Sequence, residues 1–180
     1  LTNLAAGATA AVTVTYSVPS GTTQGAYQAT ITAQAVGGAS PPAVAPRNVT
    51  VNVTGGAALA LAPNLPLPGP VTPGPGGAVV TFTNTLTNTG NAGGAVQINP
   101  VTGVPAGWSA TILNSTCPVT PTLLAQSASC AFDVEVTVPQ GAAGGAVPLG
   151  VSATVFNTSP TPNVTATALN TVTVAIARGL

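Results

Sequence analysis

Asp133 and Glu135 are the only carboxylate side chains in this chain of 180 residues, and they stand two positions apart. On an extended strand that spacing puts both on one face, opposite Phe132 and Val134. A general acid–base pair needs two environments that separate its pKa values, and neighbours on one exposed face do not provide them. Calcium takes about six to eight oxygens, far more than this pair brings. There is no histidine, so a serine nucleophile would lack its base. The same absence leaves Cys117 and Cys130 short of a zinc ligand set. This inventory points away from an enzyme and away from a bound metal or cofactor.

The two cysteines enclose 12 residues. A bridge between them would stabilise the fold by roughly 3 kcal/mol in the chain-entropy picture. A structural disulfide is favoured over two free thiols, and it points to an oxidising, extracellular setting. Five Asn-x-Ser/Thr triplets, at Asn48, Asn52, Asn114, Asn157 and Asn163, are candidate acceptors for surface glycans. Their number is only slightly above chance in a chain this rich in threonine.

The elements that would carry these residues repeat. Residues 4–36 and 124–156 align without a gap at an offset of 120, and 12 of the first 36 positions are identical. Phe132, Val134, Val136 and Val138 alternate with Asp133, Glu135 and Thr137, as a half-buried strand requires. In the first copy Val12, Val14, Tyr16 and Val18 alternate with Thr13, Thr15 and Ser17. Proline ends each strand. Val18-Pro19-Ser20-Gly21 and Val138-Pro139-Gln140-Gly141 place Pro second and Gly fourth, which favours a type I turn. A second strand follows each turn. It carries Tyr27, Ala29, Ile31 and Ala33 in one copy, and Val147, Leu149, Val151, Ala153 and Val155 in the other.

Composition sets the class. Thr, Ala, Val, Gly and Pro dominate, no stretch carries helical periodicity, and the expected fold is all-β. Charged residues make up 2% of the chain and the net charge is zero, against about 25% in ordinary soluble proteins. Arg47 and Arg178 cannot form a basic patch, so no nucleic acid is expected as a partner. No apolar run is long enough for a membrane-spanning helix. So bare a surface protects poorly against association, which suits a chain that is assembled, covered in sugar, or both.

In chain order, residues 1–54 supply strands at 11–18, 26–36 and 48–54, matching only the C-terminal half of the second copy. Gly55-Gly56 is a short joint, and residues 55–180 hold a complete sandwich. Ala57–Ala62 reads as its first strand. Residues 63–77 (PNLPLPGPVTPGPGG) read as a stiff, extended edge segment, with recognition by a proline-binding partner as the other reading. Strands follow at 78–88, 95–98 and 109–113, with a turn at Asn88-Thr89-Gly90-Asn91. The last strand lies near 164–176. Trp108 reads as a core plug rather than a sugar-stacking platform, since the chain has few large residues to fill a core. Leu1 falls three residues before the repeat motif, so the gene product is expected to begin upstream.

NTGN at 88–91, VPAGW at 104–108 and the LAxxAxxxxxVxVxVPxG pattern at 124–141 resemble the Ig-like repeats of prokaryotic cell-surface proteins. The similarity is to bacterial cell-adhesion-related repeats and to the Ig-like module associated with α-galactosidases. It covers residues 57–178 fully and 1–54 as a half domain. The resemblance implies tandem seven-strand Ig-like sandwiches, the first present only as its C-terminal half, and no catalytic residues. It also implies a structural role at the cell surface, as a surface layer, stalk or filament subunit. Expected partners are other copies of the chain or neighbouring repeats of the same surface protein, with glycans as candidates. The alternative is a carbohydrate-binding or adhesive module of a secreted protein. The missing half of the first domain would come from upstream residues or from a neighbour's strand.

Overall fold

A computed structural model describes residues 8–19, 21–33, 46–117, 120–157 and 162–175. The expected continuations of the second strand to 36 and of the last strand to 176 lie outside these residues, as do Leu4, Ser20 and Arg178. The described residues form ten strands and no helix: β1 (Gly25–Ile31), β2 (Arg47–Val53), β3 (Leu59–Pro63), β4 (Ala78–Asn88), β5 (Gly94–Ile98), β6 (Ser109–Leu113), β7 (Thr122–Leu124), β8 (Ser129–Val138), β9 (Gly145–Phe156) and β10 (Val164–Val174).

Strands β3–β10 make two four-stranded antiparallel sheets, in the orders β3-β4-β8-β6 and β10-β9-β5-β7. The apolar alternation faces inward as the sequence expects. Phe132, Val134, Val136 and Val138 are all 0% exposed, and the register sets Phe82 opposite Val134 and Val80 opposite Val136. Leu149, Val151, Ala153 and Val155 line the inner face of β9. Each fully buried aliphatic or aromatic side chain contributes about 1.5–3 kcal/mol of transfer free energy.

The proline-rich stretch behaves as an edge segment. β3 ends at Pro63, the Leu65–Pro66 peptide is cis, and Val71 bridges Val174 in parallel. Val71 N–H donates to Thr173 O at 2.9 Å, and Ala175 N–H donates to Val71 O at 2.8 Å. The first strand of this sandwich is thus displaced from Ala57–Ala62 to Leu59–Pro63. Ahead of it, the Ala57 and Ala58 N–H groups donate to the Asn157 and Asn88 side-chain oxygens, while Ala58 O accepts from Thr89 N–H at 2.8 Å. The short β7 had no sequence signal of its own.

Two expectations need correction. Residues 11–18 are not a strand: residues 8–19 carry no ladder, and Val12 is 66% exposed. Alternation supplies one apolar face, but a strand also needs a neighbour for its backbone, and none of the described residues offers one. The turns also close one residue later than expected. Thr22 N–H donates to Pro19 O and Ala142 N–H to Pro139 O, both at 3.3 Å. Gly21 and Gly141 therefore stand third, at φ 79° and 77°, which is what a type II turn demands.

Candidate interaction surface

Strands β1 and β2 form a separate two-stranded sheet, with Tyr27 opposite Val51 and Ala29 opposite Val49. Its inner face and the 8–19 segment enclose an apolar groove of about 210 Å³, lined among others by Tyr16, Val18, Tyr27, Ala29, Val51 and Val53. Tyr16, Val18 and Tyr27 are 39%, 48% and 44% exposed. The Tyr27 hydroxyl donates to Thr23 O at 2.8 Å, so its polar end is satisfied locally and its ring remains free for apolar contact. Residues 8–18 make no hydrogen bond to any described residue. Arg47, at the start of β2, is the only charged side chain among the described residues of this region. The groove therefore suits an uncharged, extended apolar partner and gives little purchase to anions or cations.

This region meets the sandwich through Asn91. Its side-chain nitrogen donates to Thr22 O at 3.0 Å and to Thr54 O at 3.2 Å, while its Oδ1 accepts from Gly56 N–H at 3.0 Å. Gln24 N–H donates to the Asn91 carbonyl at 3.2 Å. The companion residue Asn88 is fully buried. Its Oδ1 accepts from Gly90 N–H at 3.0 Å, and its Nδ2 reaches Ala92 O at 2.9 Å and Leu124 O at 3.1 Å. The NTGN sequence is thus a structural clamp: Asn88 anchors the turn inside the sandwich, and Asn91 grips the segments just before β1 and just after β2. Between them, Gly90 packs so close to Gly56 O that a Cβ would collide.

Cys117 and Cys130 form a disulfide with a Cα–Cα distance of 5.0 Å. It ties the bend after β6 to β8. Asp133 and Glu135 lie on the outer face of β8, half-exposed, as their spacing predicts. Asp133 accepts from Thr83 Oγ1 at 2.7 Å and from Asn114 Nδ2 at 3.0 Å, so its carboxylate is spent on cross-strand hydrogen bonding. Trp108 is half-buried and packs against the core. Among the described residues, no three of His, Cys, Asp and Glu converge on a metal position.

The candidate glycan acceptors divide by geometry. Asn48, Asn52, Asn114 and Asn163 are exposed. Asn48 and Asn52 share the outer face of β2, opposite Thr30 and Ala26. Asn157 is half-buried and exchanges two bonds with Ala57, as a ladder pair would: its Oδ1 accepts from Ala57 N–H at 2.9 Å, and its Nδ2 donates to Ala57 O at 3.1 Å. A second donation, to Pro162 O at 2.8 Å, occupies the remaining amide hydrogen, so a sugar on Asn157 would remove one of these bonds.

Residues 75–155 match the family described as the NPCBM-associated, NEW3 domain of α-galactosidase. The matched segment runs from just before β4 to the end of β9, and it carries the NTGN, VPAGW and VPxG motifs. The resemblance drawn from those motifs to an α-galactosidase-associated Ig-like module therefore stands for this part of the chain. No curated protein matches the chain. The disulfide, together with the lack of any helix long and apolar enough to cross a membrane among the described residues, is compatible with a secreted domain.

Sequence reasoning missed the buried asparagines. Asn84, Asn88 and Asn170 are all 0% exposed. Asn84 and Asn88 keep the inward phase of Phe82 and Leu86 on β4, so the phase was readable even though the residue type argued against burial.

Proposed function

We propose that the chain is a structural extracellular module of a cell-surface assembly: a surface-layer, stalk or filament subunit that acts by strand pairing and sandwich stacking. In this reading, residues 1–54 are the C-terminal half of one Ig-like sandwich and residues 55–180 are a complete second one. The observation that carries it is the exposed apolar groove beside residues 8–18, whose inward-facing counterparts in β8, among them Val134, Val136 and Val138, are fully buried on a strand paired on both sides. Such a face gains by being covered, and open backbone edges recruit strands. The near absence of charge removes the usual barrier to close association. The fold match is to a module named for its association with an α-galactosidase, which supports an accessory role rather than catalysis by this chain. Placement at the cell surface follows from this reading.

Light scattering and electron microscopy of the 180-residue chain test it. Ordered assemblies, abolished by an inward-facing charge such as Val14→Glu, are expected. A monomer at every concentration would count against it.

The alternative is carbohydrate binding, and the half-exposed Trp108 favours it. Glycan-array binding that is lost in Trp108→Ala with the fold intact would establish it.

A further inference from the structure

We infer that the end of the sandwich opposite the NTGN turn is a docking socket for the NTGN turn of a further sandwich of the same kind, joined to it in tandem. This deepens the stacking part of the proposed reading and rests on it. The joint already present in the chain is the template. There the Asn91 side-chain nitrogen bridges Thr22 O at 3.0 Å and Thr54 O at 3.2 Å, and the Asn91 carbonyl accepts from Gln24 N–H at 3.2 Å. All three groups gripped on the N-terminal side are backbone atoms. The grip therefore reads backbone conformation, not side-chain identity.

The sandwich repeats that conformation at the far end of β8 from the NTGN turn. Thr22 N–H donates to Pro19 O and Ala142 N–H to Pro139 O, both at 3.3 Å, and Gly21 and Gly141 stand at φ 79° and 77°. Gly25 pairs with Val53 as Gly145 pairs with Val174, so residue 54 stands to 24 as residue 175 stands to 144. Ala142 O, Gly144 N–H and Ala175 O thus take the places of Thr22 O, Gln24 N–H and Thr54 O. Gly145, at φ 137°, departs from Gly25, but it lies beyond the peptide that carries the Gly144 N–H.

These three groups have no hydrogen-bond partner among the described residues. For Ala175 O the cause is in the sequence. The edge ladder runs from Val71 N–H to Thr173 O and from Ala175 N–H to Val71 O. Its next parallel step to Ala175 O would need an N–H at residue 73, which is proline. Gly144 is exposed. An asparagine suits such a socket, because one amide nitrogen can donate to both carbonyls while the backbone carbonyl takes the N–H.

The NTGN turn of this chain is already engaged with Thr22 and Thr54, so a second copy could supply it only by giving up its own joint. Three hydrogen bonds are also too few to offset the lost freedom of a separate partner. In the joint, the Gly55-Gly56 link between β2 and β3 removes most of that cost. The occupant is therefore a sandwich with an open NTGN turn, tethered after Ala175 as β3 is tethered after Thr54.

A fusion of residues 1–175 followed by residues 55–180, isotope-labelled only in its first part, tests this by amide exchange. The Gly144 amide is expected to exchange at least about tenfold more slowly in the fusion than in the 180-residue chain. Asn91→Ala in the appended sandwich should abolish that protection with β8 of both sandwiches still protected. Asn91→Asp, which keeps the shape and removes both donations, should do the same.

Protection that survives both substitutions would overturn the assignment to the NTGN turn. Gly144 exchanging equally fast in fusion and single chain, with the appended sandwich folded, would overturn the socket; the proposed reading would then stand if the 180-residue chain still assembles in light scattering, and fall with it if no assembly forms.

Discussion

The two copies of the repeat start from nearly the same pattern and end in opposite environments. Val14 and Val134 are the same residue at the same repeat position, yet Val14 is 43% exposed and Val134 is 0% exposed. Val18 and Val138 repeat the contrast at 48% and 0%. Between them the side chain, the alternation and the terminating Pro-x-Gly turn are shared. What differs is the company: β8 lies between β4 and β6, while residues 8–18 have no neighbour on either edge among the described residues. Period-two alternation specifies a face for burial; whether a strand forms depends on a second chain segment that completes its hydrogen bonds.

The largest expected effect lies on the buried side of that contrast. Phe132→Ala should cost about 3–5 kcal/mol by denaturant unfolding, because Phe132 is fully enclosed. Val12, its repeat counterpart, should tolerate alanine within about 0.5 kcal/mol in the isolated chain. A large effect at Val12 would mean that the N-terminal region is already covered. Removing the disulfide with Cys117→Ser and Cys130→Ser together should cost roughly 3 kcal/mol, and only in the sandwich, which carries both residues.

Asn91→Ala removes three hydrogen bonds at the joint and should cost about 2 kcal/mol. The loss should appear as faster amide exchange at Gln24 and Gly56, with β8 unchanged. The smallest effect has the opposite sign. Asn170 is buried with neither amide atom hydrogen-bonded, and it pairs with Leu149 where the N-terminal copy pairs Ala29 with Val49. Asn170→Val, copying that position, should stabilise the sandwich by about 1 kcal/mol.

How much of this was legible in the sequence follows from the same pair. Strands β4, β8, β9 and β10 were readable because alternation, β-branched residues and Pro/Gly stops all agreed there. Residues 8–18 show the identical local signal, and no local property of theirs reveals whether another segment pairs with them. The disulfide was readable from two cysteines and no competing ligand. The clamp at Asn88 and Asn91 was seen as a turn, but its grip on Thr22, Thr54 and Gly56 joins residues up to 69 positions apart. Asn170 stayed hidden because its repeat counterpart is Val49 at an offset of 121, one residue out of step with the start of the repeat. The apolar, uncharged character of the N-terminal groove was legible as chemistry, while its exposure needed the fold.

Amide hydrogen exchange of the whole chain, followed at residues 12–18 and 132–138 over a range of protein concentrations, tests the central claim most directly. The account predicts strong protection of 132–138 throughout, and protection of 12–18 that rises with concentration as their edges become paired. Residues 12–18 exchanging freely at every concentration, with no assembled species, would contradict it.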